Sequence, residues 1–254
     1  MVRDSLTGIP GVCVGLCSIA FSLIFGELCA AEQSPSDPHS LATGSDARGT
    51  VEGTVFYQSD TKRPWRYARY YVKDRKQGEL AEAVVALKSR TLKNNVPHRD
   101  PVTTVIDQMN FQFVPETVAI QTGDRVRFLN SDEVTHNVQS VHPSHSFNVN
   151  LSAGKQHQET FRHASGLWRP FRVGCIYHSA MRAWVFVFDH PYFHVTEADG
   201  RFRLNNIPAG EYKLEMIHPA GQLRWQQTIQ VEADETTTTE IRLSPDDMAK
   251  QRSQ

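Results

Sequence analysis

The run Val173-Gly174-Cys175-Ile176-Tyr177-His178-Ser179-Ala180-Met181 places a thiol, an imidazole and a thioether in a C-x2-H-x2-M pattern. A second imidazole, His136, stands upstream in Thr135-His136-Asn137-Val138, after Phe128-Leu129-Asn130-Ser131-Asp132. A thiolate, two imidazoles and a thioether are the donor set of a mononuclear copper electron-transfer centre. Soft sulfur stabilises Cu(I), imidazole serves both oxidation states, and a long thioether contact tunes the potential. Three donors on one tight loop and a fourth on a distant strand need little movement when the ion changes charge. Taken singly, each residue has a plainer use: Met181 as core packing, His136 as one of eleven histidines. Their conjunction points to copper.

The elements that must hold these residues read as strands. Period-two alternation recurs at Val51, Gly53, Val55 and Tyr57, at Phe111 and Phe113, and at Val118 and Ile120. It continues at Val126 and Phe128, and at Phe171, Val173 and Cys175. Later come Phe202 and Leu204, then Tyr212, Leu214 and Met216, Ile229 and Val231, Ile241 and Leu243. Thr122-Gly123-Asp124, Asp199-Gly200 and Pro208-Ala209-Gly210 punctuate these runs as turns. Many short strands with such turns predict an all-β sandwich or barrel. Leu80 to Leu87 also fits a short helix, but a strand over 83–87 is the better reading.

Composition limits the function classes. A chain of 254 residues, 39% hydrophobic and 22% charged, with a mean hydropathy of −0.44, is too polar for a multi-span membrane protein. A net charge of −1 gives no global basic field for nucleic acid. Three of the four cysteines (Cys13, Cys17, Cys29) fall in residues 1–31. That segment reads as an export signal: Arg3, an apolar stretch from Ile9 to Phe25, and Cys29-Ala30-Ala31 as the cleavage pattern. Its removal takes Arg3, Asp4 and Glu27, equalises the basic and acidic counts, and leaves Cys175 as the one cysteine. The expected location is the periplasm or another exported compartment, with no integral span after cleavage. An exported protein with a lone cysteine cannot pair it internally, which again favours a ligand.

These residues resemble the cupredoxin, or blue-copper, family over about Thr104 to His190. The likeness includes Phe111-Gln112-Phe113-Val114-Pro115, the Thr122-Gly123-Asp124 turn, and the F-x-N-x-D lead before His136. The ligand loop is similar in length to that of amicyanin. The resemblance implies a Greek-key β-sandwich holding one mononuclear copper ion on His136, Cys175, His178 and Met181. It also implies that the Asn137 N–H donates to the Cys175 sulfur, and that the outer edge of His178 passes electrons to redox partners. Gly174 and Ser179 depart from the family's pattern and bear on rigidity and potential rather than on ligand identity. Arg169, Arg172 and Arg182, with Trp168, Phe171 and Trp184, are expected to shape the docking face. His142, His145, His157 and His163 read as solvent-exposed loop residues.

Downstream, Asp199-Gly200-Arg201-Phe202 and Pro208-Ala209-Gly210-Glu211-Tyr212 resemble the carboxypeptidase regulatory-like domain, a smaller transthyretin-like β-sandwich, over 191–243. Its opening strands are missing there and resemble Gly49–Val55 and Ala83–Leu87, so residues 49–90 are expected to join it with the copper domain (104–190) inserted between. Residues 32–48 read as a linker and 244–254 as a tail. The whole is similar to exported bacterial proteins labelled methylamine-utilisation-like. The basic and aromatic residues of 62–76, such as Lys62, Arg66, Trp65 and Tyr67, suit a solvated hairpin better than nucleic acid. The neighbours of Cys175 are not histidines, unlike those of multicopper oxidases and nitrite reductases. HExxH, GxSxG, Walker and dinucleotide motifs are absent from the sequence, so no enzyme is expected. The expectation is an exported one-electron carrier. Its rival is a non-redox envelope module for scaffolding, adhesion or copper holding.

Overall fold

The computed structural model describes residues 47–58, 78–220 and 223–243. The export signal, nearly all of the linker, the basic and aromatic segment and the tail lie outside the described residues. Among those described, no helix is long and apolar enough to cross a membrane.

The chain is all-β. Strands β1 (Arg48–Tyr57) and β2 (Val84–Lys88) come first, followed by a short 3-10 turn at Leu92–Asn95. Next come β3 (Thr103–Met109), β4 (Gln112–Val114), β5 (Thr117–Gln121), β6 (Arg125–Asn130) and β7 (His136–Ser140). The central part closes with β8 (Phe147–Leu151), β9 (Gln156–Thr160), β10 (Phe171–Gly174) and β11 (Arg182–Phe188). The last strands are β12 (Phe193–Val195), β13 (Arg201–Pro208), β14 (Gly210–His218), β15 (Leu223–Val231) and β16 (Thr236–Leu243).

They form four sheets, ordered β13-β1-β16, β12-β2-β14-β15, β5-β11-β10-β7-β8 and β4-β3-β6-β9. In the first, β1 runs antiparallel to β13 and parallel to β16. In the second, β2 lies antiparallel between β12 and β14. Strands from before residue 90 therefore share both sheets with strands from after residue 191. The third and fourth sheets each contain one parallel pair, β5 with β11 and β3 with β6. The two sheets face each other as a sandwich.

Three apolar layers hold the four sheets together. Val51, Val55, Phe202, Leu214 and Ile241 fill the gap between the first two. Ile106, Phe128, Val138, Phe171 and Val185 fill the gap between the last two. The middle seam is made by Val84 and Ala86 of β2, Ile217 of β14, and Phe186 and Phe188 of β11, with Trp168 and Trp184 packed against it. This seam explains two sequence runs that do not alternate. Val84-Val85-Ala86-Leu87 is buried on both faces, Val85 and Leu87 toward one layer and Val84 and Ala86 toward the other. In Ala183-Trp184-Val185-Phe186-Val187-Phe188 the small and β-branched residues enter the core between the third and fourth sheets and the aromatics enter the seam. A strand covered on both faces has no reason to alternate. The 83–87 region is thus a strand.

The seam also has a polar margin. The Trp168 indole N–H donates to Glu215 at 3.1 Å, Lys88 reaches the same carboxylate at 3.2 Å, and the Arg224 guanidinium lies 5.0 Å from the Trp168 ring centroid. Burial pushes the Glu82 and Glu116 carboxyls up, while the hydroxyl of Thr117 and the charge of Arg182 respectively pull them back.

In the second sandwich, Gly200 (φ +72°) turns the chain into β13, and an added Cβ would stand 2.5 Å from the Val55 carbonyl oxygen. Only glycine fits there. The Tyr212 hydroxyl donates to the Pro208 carbonyl at 2.9 Å and fastens the next turn.

Candidate metal centre

The donors converge at one end of the copper-domain sandwich. β7 begins with His136 and runs antiparallel to β10, which ends one residue before Cys175. Past β10 the chain makes a tight loop. The Met181 N–H donates to the His178 carbonyl at 3.0 Å, and the Cys175 N–H reaches the Met181 carbonyl at 3.4 Å. The loop therefore returns directly into β11. His136, Cys175 and His178 each offer one ligand atom, and these atoms lie within 4.8 Å of one another, the one such group among the described residues. The His136 and His178 Nδ1 atoms are 3.1 Å apart, and His178 Nδ1 is 3.7 Å from the Cys175 sulfur. His136 is completely buried, Cys175 and Met181 nearly so, and His178 is half-buried. Met181 packs in the same apolar cluster as Cys175.

Hydrogen bonds fix the residues around the cluster. The Asn137 N–H donates to the Cys175 sulfur at 3.3 Å. The Asn137 side chain is pinned into β8 by amide bonds to Asn148 (2.7 Å) and Asn150 (2.9 Å). On the far side of His136, Nε2 lies 2.7 Å from the Asp132 carboxylate. A proton held on Nε2 by that carboxylate leaves Nδ1 as a lone pair directed at the cluster. A soft thiolate and two neutral imidazoles, backed by a buried thioether, fit one copper ion.

Two residues that the sequence reading uses only as parts of motifs have their own contacts at this site. Asp132 is one. Its carboxylate accepts from Asn110 N–H (2.7 Å), Phe111 N–H (3.0 Å) and His136. Partial burial works against its ionisation, but these hydrogen bonds outweigh burial and hold the carboxyl below the usual carboxylate range. The other is Phe111. The alternation with Phe113 predicts a second core residue, yet Phe113 is buried and Phe111 is 51% exposed. The reason is the Asn110-Phe111 turn, whose φ angles of 55° and 60° make a two-residue hairpin between β3 and β4. That turn lifts the Phe111 ring out of the strand and sets it edge-on to both imidazoles, 5.5 Å from His136 and 5.0 Å from His178.

The expected docking face needs correction. Phe171 is fully buried, and Trp168 and Trp184 pack into the seam with the second sandwich. Arg182 lies over Trp184. Trp184 is a seam residue because it stands on the face of β11 opposite the core formed by Ala183, Val185 and Val187, and Trp168 reaches the seam from the turn before β10. Arg169 and Arg172 are exposed, and the exposed large apolar side chains on or beside the ligand loop are Phe111, Ile176 and Tyr177. Of the extra histidines, His163 is exposed outside the strands as expected, whereas His142, His145 and His157 are partly buried. His145 and His157 share the Glu159 carboxylate at 2.9 and 2.6 Å, and the His142 ring packs 4.1 Å from that of Phe171.

Fold and site together define a copper-binding β-sandwich. Residues 101–187 match the family described as copper binding proteins, plastocyanin/azurin family. Similar solved structures include a Cu-containing nitrite reductase from Thermus scotoductus SA-01. That match has 21% identity and a TM-score of 0.31, covering 36% of this chain and 23% of the reductase. A purple cupredoxin from Nitrosopumilus maritimus matches at 22% identity and a TM-score of 0.29, over 33% of this chain and 98% of its own. A mutant amicyanin in the Cu(I) state matches at 18% identity and a TM-score of 0.30, over 41% of this chain and 98% of its own. No curated protein matches the chain.

Proposed function

We propose that this protein is an exported one-electron carrier, with one copper ion held by His136, Cys175, His178 and Met181 and electrons leaving by the outer edge of His178. The observation that carries this reading is the preformed cluster. Three donor atoms stand within 4.8 Å of one another, with the thiol already receiving the Asn137 N–H. Bound copper supplies the one-electron couple. The chain's own residues do the rest: Asn137 draws electron density from the sulfur, Asp132 holds a proton on His136 Nε2, and the buried Met181 excludes water. A site that needs no rearrangement to hold either oxidation state suits repeated electron transfer. The half-buried His178, with Phe111, Ile176 and Tyr177 exposed beside it, gives a redox protein partner an apolar surface at the metal. The second sandwich, read as a carboxypeptidase regulatory-like module formed by 49–90 and 191–243, serves as scaffold.

The test is titration of the purified metal-free protein with Cu(II), followed by voltammetry. The expected result is an intense visible thiolate-to-copper band saturating at one equivalent and a reversible one-electron wave. A colourless protein would defeat copper-thiolate ligation. A coloured protein with no reversible wave would leave copper holding as its function.

A further inference from the structure

We propose that Asp132 is a positioning residue that latches the Phe111 turn over the copper centre, so that the lid and the buried ligand His136 are held by one carboxylate. This goes deeper into the same site and rests on His136 being a copper ligand.

Three contacts meet on Asp132. Its Oδ1 accepts the Asn110 N–H, and its Oδ2 accepts both the Phe111 N–H and His136 Nε2. The carboxylate thus reaches both central residues of the β3–β4 turn, about twenty residues earlier in the chain. It is itself fixed. The Asp132 N–H donates to Asn130 Oδ1 at 3.1 Å, and the Asn130 amide donates to the carbonyls of Val134 and Leu151, both at 2.8 Å. Ser131 beside it donates from backbone and hydroxyl to Asp107 of β3. A short, doubly anchored loop holds the latch in place.

The turn provides an independent observation. A two-residue hairpin with both φ angles positive favours asparagine followed by glycine. The second position here is phenylalanine at φ 60°, a backbone that a bulky side chain resists. Strained residues of this kind persist where surrounding structure over-determines them, and they cluster at functional sites. The Asp132 carboxylate over-determines this one by accepting both turn N–H groups. The strained backbone sets the Phe111 ring edge-to-face against the two imidazoles. The carboxylate's charge also lies one imidazole away from the metal position. A negative charge there favours Cu(II) over Cu(I).

The test uses the full chain, metal-free and copper-loaded, with Asp132→Asn, Asp132→Ala and Phe111→Ala. In the metal-free protein, the Asn110 and Phe111 amides are expected to exchange at least about tenfold faster in Asp132→Ala than in wild type. The His136 ring is expected to lose its single Nε2–H tautomer by 15N NMR. In the copper-loaded protein, Asp132→Asn shifts the balance toward Cu(I) about tenfold, a rise of ~59 mV for one electron. Phe111→Ala retains the wild-type potential within a smaller shift and loses copper to an external chelator about tenfold faster. Unchanged amide exchange and an unchanged tautomer in Asp132→Ala overturn the latch, whatever copper does. If Asp132→Ala does not fold, the same two metal-free readouts on the isosteric Asp132→Asn decide. Failure of wild type to bind copper defeats the carrier reading and leaves the metal-free measurements to judge the latch alone.

Discussion

Each of the two sandwiches in this chain buries a histidine completely, and the two differ in what faces the ring. His218, in β14 of the second sandwich, is fully buried, and burial pushes its pKa down to about 3 against smaller upward pulls from the backbone of Ala81 and of His218 itself. It is a neutral core residue. His136 in the copper domain is equally buried, but Asp132 stands at its Nε2 and a second imidazole and a thiol stand at its Nδ1. Burial is common to both; function follows from convergent donors and a carboxylate that fixes the proton. The same contrast holds for the sandwiches as wholes. Both are built on alternating apolar residues around one core, and among the described residues the group that could hold a metal stands at one loop end of one of them.

The largest effect is expected where the comparison is sharpest. Cys175→Ser removes the thiolate, so the visible band vanishes. Affinity for Cu(I) should fall by more than roughly the hundredfold that loss of an outer-sphere partner costs at a metal site. A retained band in a copper titration would place the metal elsewhere.

Next comes the seam. Phe186 is fully buried between the sandwiches, and Phe186→Ala is expected to cost about 3–5 kcal/mol in urea unfolding. The absorption spectrum of the copper-loaded protein should keep its wavelength. A spectral shift would show that the second sandwich also shapes the metal site, and the division drawn above would fall.

His218 gives a smaller, pH-dependent effect. The unfolded imidazole takes a proton near its ordinary value of 6.5 and the folded one near 3. Stability from burying the neutral ring is therefore fully present above about pH 6.5 and lost as the pH falls toward 3. The limiting slope is about 1.4 kcal/mol per pH unit. His218→Leu should flatten that acid limb in metal-free unfolding measured between pH 7.5 and pH 5. An unchanged limb would assign it to other groups.

The smallest effect belongs to the outer surface of the second sandwich. Arg203 pairs with Glu52 across β13 and β1 with both side chains well exposed. Arg203→Ala should change stability by less than about 1 kcal/mol and leave copper binding untouched, read by the same unfolding and titration assays.

Legibility of the site follows sequence separation. Cys175, His178 and Met181 are close in sequence, so their spacing alone suggests a chelating loop. His136 needed its own local lead, Phe128 to Asp132. Phe111 and Asp132 stand in motifs that the sequence shows, but their contact with each other is long-range, and the alternation rule assigns Phe111 to the core. A signal did exist: Asn-Phe between two alternating runs marks a two-residue turn whose second residue is unusual. The tryptophans were misread for a related reason. Trp184 lies three residues after the ligand Met181 in the chain, but strand pleating sends its side chain to the other face of the sheet.

The sequence by itself determined the all-β class, the turn positions and the donor chemistry, because period-two patterning, turn residues and ligand type are local properties. Only the tertiary structure decided which faces of β2 and β11 meet in the seam, and that one carboxylate serves both His136 and the Phe111 turn. Those are contacts between segments far apart in the chain. Continuous apolar strands such as 84–87 carry no mark of which neighbour covers which face, so packing alone makes that choice.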